Sequence, residues 1–446
     1  MLNDVKQILN LMLPILVTML TVAGMQSIDI IMSGHASNAD VAGVSVAGNV
    51  WFPIYVGLNG IILASSTIFA NMIGAGKKNT IRDVLQHSLI LSIVIGIILI
   101  ILVNIAIRYL PMFLTIEPHV FEIAKGYIFA LSWSVIPLCM VSSLRQFIEA
   151  LNQARVVTVV MLLALPINVA VNYVMIFGKL GFPRLGGVGA GYATSVTYIF
   201  VFLMLAYICI TQPPFNEHKI KEGFDLNFKR FREQLRLGIP IGIAIFFEAA
   251  MFNALGMLIT KFGTDTIAAN QAATSISTMT YMLALSLSLS LNIVVGYKIG
   301  AKDYALAETL SMTGMKIAIF MTTLSMILLW AFNSQIAALY SPDPMVQKLI
   351  KDFLALVIIY QIADGIAVAA QGIMRAYRDV KTCFAIVMVT YWAICLPLGR
   401  VFDVYFHRGI TSYWQGMVVG IFIGAVISYL RIRYLHKKYK QFEIVA

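Results

Sequence analysis

Three carboxylates stand inside long apolar runs of the chain. They are Asp29 in "GMQSIDIIMSGH", Glu248 in "GIPIGIAIFFEAAMFNALGMLI" and Asp364 in "YQIADGIAVAAQ". An acidic side chain at the centre of a membrane-spanning helix costs roughly 2.5–3.5 kcal/mol on insertion scales. Such residues therefore face a cavity or a partner, and by default they are functional candidates. Tyr360 precedes Asp364 by one helical turn and shares its face. Tyr281 and Gln271 lie in the run that follows Glu248 and are candidates to complete one site with Glu248, Asp364 and Tyr360. Oxygen donors of this kind suit a hard cation such as Na⁺, bound through Glu248 and Asp364, or a proton.

Other chemistry finds no support in the residues. Cys139, Cys209, Cys383 and Cys395 are widely spaced within apolar runs, which suggests neither a disulfide framework nor a metal site. The six histidines show no ligand spacing. "LGGVGAGYAT" (185–194) does not match GxGxxG, and "GAGKK" (74–78) lacks the spacing and the hydroxyl residue of a phosphate-binding loop. No cofactor is expected, and no catalytic constellation points to an enzyme. Any pumping must run on an ion gradient.

The elements that hold these acids are long and oily. The chain has 446 residues, 60% of them hydrophobic and only 12% charged, about half the charge of a soluble protein. Runs of about 20 apolar residues cross the hydrocarbon core as helices. Twelve such runs are expected, near 8–33, 45–72, 85–108, 123–144, 156–177, 188–210, 236–260, 268–296, 311–332, 348–373, 381–402 and 411–433. The fold class is an all-α polytopic membrane protein. The first twenty residues lack a signal-peptide pattern and read as the start of the first span. The net charge of +11 would suggest nucleic acid on a soluble protein. Here the positive residues sit in short connections, as topology signals do, so no nucleic-acid partner is expected. Their excess in the even-numbered connections and the tails places both termini in the cytoplasm, with the chain in the inner membrane. The middle connection is the most basic, with Lys219, Lys221, Lys229, Arg230, Arg232 and Arg236.

The chain also repeats itself at a spacing of 226 residues. Pro14 in "LPI" matches Pro240 in "IPI", "IGAG" at Ile73 matches "IGAK" at Ile299, "EP" at Glu117 matches "DP" at Asp343, and "EALNQAR" at Glu149 matches "RAYRDVK" at Arg375. Two six-span halves with an even span count enter from the same side. They are parallel lobes related by a pseudo-twofold axis along the membrane normal. The expected division is an N-terminal lobe at 1–210, a basic cytoplasmic linker at 211–235 and a C-terminal lobe at 236–446. The acids do not follow the repeat. The counterparts of Asp29, Glu248 and Asp364 are Leu255, Val22 and Leu138, so the lobes are expected to do different work. The in-span prolines Pro14, Pro53, Pro137, Pro166, Pro240 and Pro397 mark bends.

Over nearly its full length the chain resembles the multidrug and toxic compound extrusion (MATE) family, within its NorM-like branch. The stretches that carry the resemblance are "SIDIIMSG", "PINVAVNYVMIFGKLGFPRLGGVGAGYAT", "GIPIGIAIFFEAAMFNALG" and "YQIADGIAVAAQGIMRAYRDVK". The resemblance implies a transporter that exports organic, often cationic, drugs in exchange for inward Na⁺ or H⁺. It implies Glu248 and Asp364 as cation ligands, with Tyr360, Gln271 and Tyr281 nearby. Asp29 matches the span-1 acid of the first lobe, Asn168 and Asn172 match polar positions of span 5, and Asp343 matches an acid near the outer mouth that touches bound drug. Pro14 sits where some relatives bend the first helix. Some archaeal relatives have aspartate at the position of Asn172. An amide releases no proton, so the departure favours Na⁺ at the second lobe over a proton relay in the first. A monomer in the lipid bilayer is expected. The alternative within a related fold is a lipid-linked oligosaccharide flippase, which needs a wide cationic cavity and not mid-span acids. A sensor or channel-like protein is a further alternative, and it would show no exchange.

Overall fold

The computed structural model describes residues 2–112, 116–218, 223 and 226–445. Among these the regular structure is entirely helical. The helices are α1 (Leu2–Ala36), α2 (Asn38–Gly74), α3 (Lys78–Tyr109), α4 (Pro118–Ala150), α5 (Ala154–Phe177), α6 (Gly187–Thr211) and α7 (Phe228–Ile259). They continue as α8 (Thr264–Gly300), α9 (Tyr304–Ala331), the short α10 (Asn333–Tyr340), α11 (Pro344–Ala376), α12 (Val380–Met388), α13 (Leu396–Val404) and α14 (Ser412–Val445). A seven-residue π-helical segment, Val389–Cys395, joins α12 to α13 into one continuous span. Among the described residues twelve helices are long and apolar enough to cross a membrane, one for each expected run, and the protein is a multi-pass membrane protein. Their outer faces are apolar too. Ile97, Ile98, Ile101, Leu102 and Ile105 of α3 are all exposed, as lipid acyl chains require.

The helices outrun the apolar windows because their ends are capped in the polar connections. Ser37 accepts from the Asp40 amide at 3.0 Å before α2, Asp303 from the Leu306 amide at 3.1 Å before α9, and Asp343 from the Met345 amide at 2.7 Å before α11. Each cap satisfies an amide that the first helical turn leaves unpaired. The first turns of α7 already lie in the basic connection, from Phe228 onward. Lys219 and Lys221 of that connection fall outside the described residues.

Helix boundaries repeat at the spacing seen in the sequence. α2 runs from 38 to 74 and α8 from 264 to 300; α4 runs from 118 to 150 and α11 from 344 to 376. The turns repeat as well. Left-handed backbone occurs at Gly76 (φ 68°) and Lys302 (φ 62°), at Asn152 (φ 60°) and Arg378 (φ 59°), and at Gly181 (φ 86°) and His407 (φ 49°). A non-glycine residue is uncommon in this region. Lys302, Arg378 and His407 therefore hold turns whose geometry persists although glycine or asparagine has been replaced.

The chain divides into two compact units, residues 14–246 and residues 1–13 with 247–446, so it changes unit within α1 and within α7. In the first unit α4 packs against α2, α3 and α6 around a core that includes Ile62, Leu91, Leu99, Ile128, Leu131 and Val135. Here α2 and α7 approach backbone to backbone at Gly60, Gly238 and Gly242, where a Cβ on Gly60 would come within 2.7 Å of the Gly242 Cα. A hydroxyl chain, Ser65–Ser88–Ser143–Ser92, crosses between α2, α3 and α4 at 2.7–2.9 Å. In the second unit α11 is central, packed on α8, α9 and α14. Close approach again rests on small residues. Gly372 of α11 meets the Ser288 carbonyl of α8, and Gly416, Gly420 and Gly424 of α14 lie against the span that contains the π-segment.

Candidate functional site

The first unit holds a carboxylate whose two oxygens are both supplied with donors. Asp29 is buried on α1. Its Oδ1 accepts from Asn172 Nδ2 at 2.6 Å and from Asn168 Nδ2 at 3.4 Å, and its Oδ2 accepts from Thr194 Oγ1 at 2.7 Å. Asn168 and Asn172 are one turn apart on α5 and are linked by a 3.1 Å hydrogen bond from Asn172 Nδ2 to Asn168 Oδ1. Both amides are buried. The structure thus gathers Asp29, Asn168 and Asn172 into one centre and adds Thr194 from α6. Thr194 closes the glycine-rich stretch 185–194, and the glycines are what admit it. A Cβ at Gly189 would lie 2.7 Å from the Met175 carbonyl carbon of α5, so only glycine lets α6 come close enough to α5 for its hydroxyl to reach α1.

The second unit holds the pair. Glu248 of α7 and Asp364 of α11 are both buried, at 6% and 2% exposure, and they lie within electrostatic reach of one another. The Tyr391 hydroxyl donates to Glu248 Oε1 at 3.4 Å, and the Tyr281 hydroxyl of α8 is also directed at Glu248. Tyr360 turns its hydroxyl to Asp364. Asp364 Oδ1 is buried with no hydrogen-bond partner among the described residues. A buried anionic oxygen without a donor is costly, and a bound cation or a proton removes that cost. Five oxygen-bearing side chains, two carboxylates and three tyrosines, therefore converge with one open acceptor, a donor set for a hard cation.

Behind this shell stands a rigid platform. The Tyr360 ring packs edge-on against Trp414 with centroids 6.2 Å apart, and Trp414 Nε1 donates to Asn270 Oδ1 at 3.0 Å. On the other side Trp392 Nε1 donates to the Phe247 carbonyl at 3.1 Å, which fixes the backbone beside Glu248. Tyr391 and Trp392 both belong to the π-segment. Its cause is local. Pro397 lacks an amide hydrogen, and in a regular helix its ring would strike the carbonyl of residue 393. Widening the preceding turn relieves that clash and re-aims the side chains just before it.

The remaining candidates fall elsewhere. Gln271 is exposed, and the neighbouring Asn270 is the residue turned inward. Asp343 is exposed and caps α11. Pro14 is within α1 at the point where the chain changes unit. Thr194, Asn270, Tyr391 and Trp414 were not singled out from the sequence. Thr194 had a signal, a hydroxyl at the end of a glycine run. Tyr391 had none, because its direction depends on the π-turn.

The MatE family profile matches twice, at residues 14–174 and 240–401, so the two matches begin at the same spacing as the repeat. A probable multidrug resistance protein NorM of Halalkalibacterium halodurans is 37% identical over 437 residues, covering 98% of this chain and 95% of its own. The protein of the same name in Bacillus subtilis is 36% identical over 440 residues, covering 98% and 97%. Among solved structures, one described as an outward-facing conformation of a multidrug resistance MATE family transporter of the MOP superfamily matches with a TM-score of 0.90 at 20% identity, over 98% of this chain and 97% of that one. The bent form of the Vibrio cholerae MATE transporter VcmN matches with a TM-score of 0.88 at 17% identity, over 99% and 98%. With twelve spans, a doubled sequence and a profile that recognises both halves, the chain belongs to the MatE family of membrane transporters.

Proposed function

We propose that the chain is a cation-coupled antiporter that exports organic, often cationic, compounds by alternating access, with Na⁺ as the coupling ion at Glu248 and Asp364. The contrast between the two acidic centres carries this reading. Asp29 has three side-chain donors on its two oxygens. Asp364 has a buried oxygen with none among the described residues and gains most when a cation arrives. Asn172 bonds Asp29 but has no proton to give, so a relay confined to the first centre would rest on Asp29 alone. Entry of one positive charge through 100 mV of membrane potential supplies about 2.3 kcal/mol. Export follows when cation and drug favour different arrangements of the same helices.

In this scheme the lobes at 1–210 and 236–446 exchange access, joined by the basic linker 211–235. Both termini are cytoplasmic in the inner membrane, and the working unit is a monomer. Organic cations are the substrates because similar proteins carry the name multidrug resistance protein and the chain offers acids within its spans. The test is ethidium exchange in proteoliposomes with Na⁺ and H⁺ gradients imposed separately. An inward Na⁺ gradient at equal pH should drive export, and Asp364→Asn should abolish it. Exchange that ignores Na⁺, follows the pH gradient alone and survives Asp364→Asn would remove the second-lobe site from the mechanism.

A further inference from the structure

Beside the carboxylate pair, the second unit contains a cavity of about 20 Å³ between α11, α14 and the span of α12 and α13. A single water needs about 10–15 Å³ of such space, so the cavity admits one water or one bare cation at a time. Its wall includes Gln371, Met374, Thr390, Tyr391, Gly424 and Ser428. Tyr391 belongs to both, since it lines the cavity and its hydroxyl donates to Glu248. Thr390 is 4% exposed, and its Oγ1 has no hydrogen-bond partner among the described residues. Helical threonines usually donate to a carbonyl of the preceding turn, as Thr322 does to Ala318 at 2.8 Å. Thr390, in the π-segment, makes no such bond among the described residues, and it lies on the cavity wall.

Chain direction sets the cavity's position along the membrane. On α11, Gln371 and Met374 follow Asp364 by two to three turns, toward the end that the topology above places in the cytoplasm. On the neighbouring span, Cys383 and Val387 of the wall precede Tyr391, again on that side. One turn beyond Gln371 lies Arg375, itself buried. It is held by Nε to the Gln371 carbonyl at 3.2 Å and by Nη2 to Ser288 Oγ at 3.3 Å, and it is within electrostatic reach of Glu248. A fixed positive charge there makes the cavity a place of passage and not of rest. It also balances the carboxylates once the cation has gone.

We propose that the coupling cation leaves the Glu248–Asp364 pair for the cytoplasm through this cavity, with Tyr391 as the gate and Thr390 Oγ1 as the ligand met on the way. The proposal rests on the second-lobe cation site. Two substitutions act on the passage without touching a carboxylate. Gly424→Ala places a Cβ 2.6 Å from Thr390 Oγ1, which drives the threonine into the cavity and fills it. Thr390→Val keeps the shape and removes the oxygen. Purified full-length protein is titrated with Na⁺ by tryptophan fluorescence, since Trp392 and Trp414 flank the site, and the same preparations are assayed for Na⁺-driven ethidium exchange.

Both variants should exchange about tenfold more slowly or worse, equivalent to about 1.4 kcal/mol on a barrier, while their equilibrium Na⁺ affinity stays within about twofold of the parent. Ile423→Ala, on the exposed face of α14, should exchange at the parental rate. Parental exchange in both cavity variants overturns the route. A loss of Na⁺ affinity in proportion to the loss of rate also overturns it, because Thr390 would then belong to the binding site. Asp364→Asn run in parallel separates the two ideas. If it leaves Na⁺ binding intact, the site itself is wrong; if it removes binding while the cavity variants run normally, only the passage is wrong.

Discussion

If Na⁺ binds as proposed, the unequal satisfaction of Glu248 and Asp364 makes them unequal as ligands, and neutralising them one at a time measures the difference. Asp364 Oδ1 has no donor from the described residues, whereas Glu248 is faced by the Tyr391 and Tyr281 hydroxyls. A polar contact to a charged group contributes about 1.5–3 kcal/mol. Asp364→Asn removes such a contact from the Na⁺-bound state and removes none from the empty state at Oδ1. The full value is lost, and the Na⁺ dissociation constant should rise roughly 10- to 150-fold at about 1.4 kcal/mol per decade. Glu248→Gln weakens its tyrosine hydrogen bonds in the empty state as well, since a neutral amide oxygen is a poorer acceptor than a carboxylate. Part of its loss cancels, and the rise should stay near the lower end, roughly tenfold. The assay is tryptophan fluorescence against Na⁺ at two pH values, with K⁺ holding ionic strength constant. In the parent, apparent affinity should fall as pH falls, because protonated carboxylates do not hold Na⁺ and the two titrate as a coupled pair. In either variant that pH dependence should flatten. Equal affinities for parent and Asp364→Asn, or a larger effect of Glu248→Gln, would refute the reasoning from unpaired oxygens.

Other consequences can be checked separately. Asp29→Asn should leave Na⁺ affinity within about twofold of the parent, since its donors Asn168, Asn172 and Thr194 belong to the first centre and sites that share no partners add; a large change would show that the two centres act as one. Trp414→Phe removes the donor to Asn270 and the edge that holds Tyr360, and should weaken Na⁺ binding several-fold with little change in drug affinity. Gly238→Val puts side-chain atoms where a Cβ would already lie 2.8 Å from Ile61 Cγ2 and 2.9 Å from its Cα. Overpacking of this kind costs about 1–3 kcal/mol, read as a lower unfolding temperature in detergent that Gly238→Ser partly restores. A C-terminal tag should be labelled only after the cells are permeabilised, and labelling of intact cells would reverse the orientation assigned to the passage.

Much of this protein is decided by composition and period. Apolar runs as long as the hydrocarbon is thick must be helices, because no other local structure satisfies its own backbone in lipid. That is why twelve runs correspond to twelve spans. The repeat was readable because prolines, glycines and polar punctuation persist at turns, where backbone geometry tolerates few residues. The same positions hold the left-handed residues Gly76 and Lys302, or Asn152 and Arg378. Asp29, Glu248 and Asp364 were conspicuous because a carboxylate in an oily helix is too costly to keep without a partner. Asn168 and Asn172 stood out only through the likeness to relatives.

Tertiary structure alone decided which oxygens lack a donor. Spacing along a helix reports a face, but not what a neighbouring helix presents to it. Gln271 and Asn270 are adjacent and similar, and only packing turns Asn270 to Trp414 and leaves Gln271 exposed. Tyr391 reaches Glu248 from a turn whose hydrogen-bond register departs from the regular helix, so extrapolation at 3.6 residues per turn aims it wrongly. The cavity behind it is bounded where Gly424 has no side chain, where Thr390 Oγ1 has no partner among the described residues, and where three helices meet. Each of these is a property of neighbours brought together from distant parts of the chain, where helix approach is set by the smallest residues on both sides.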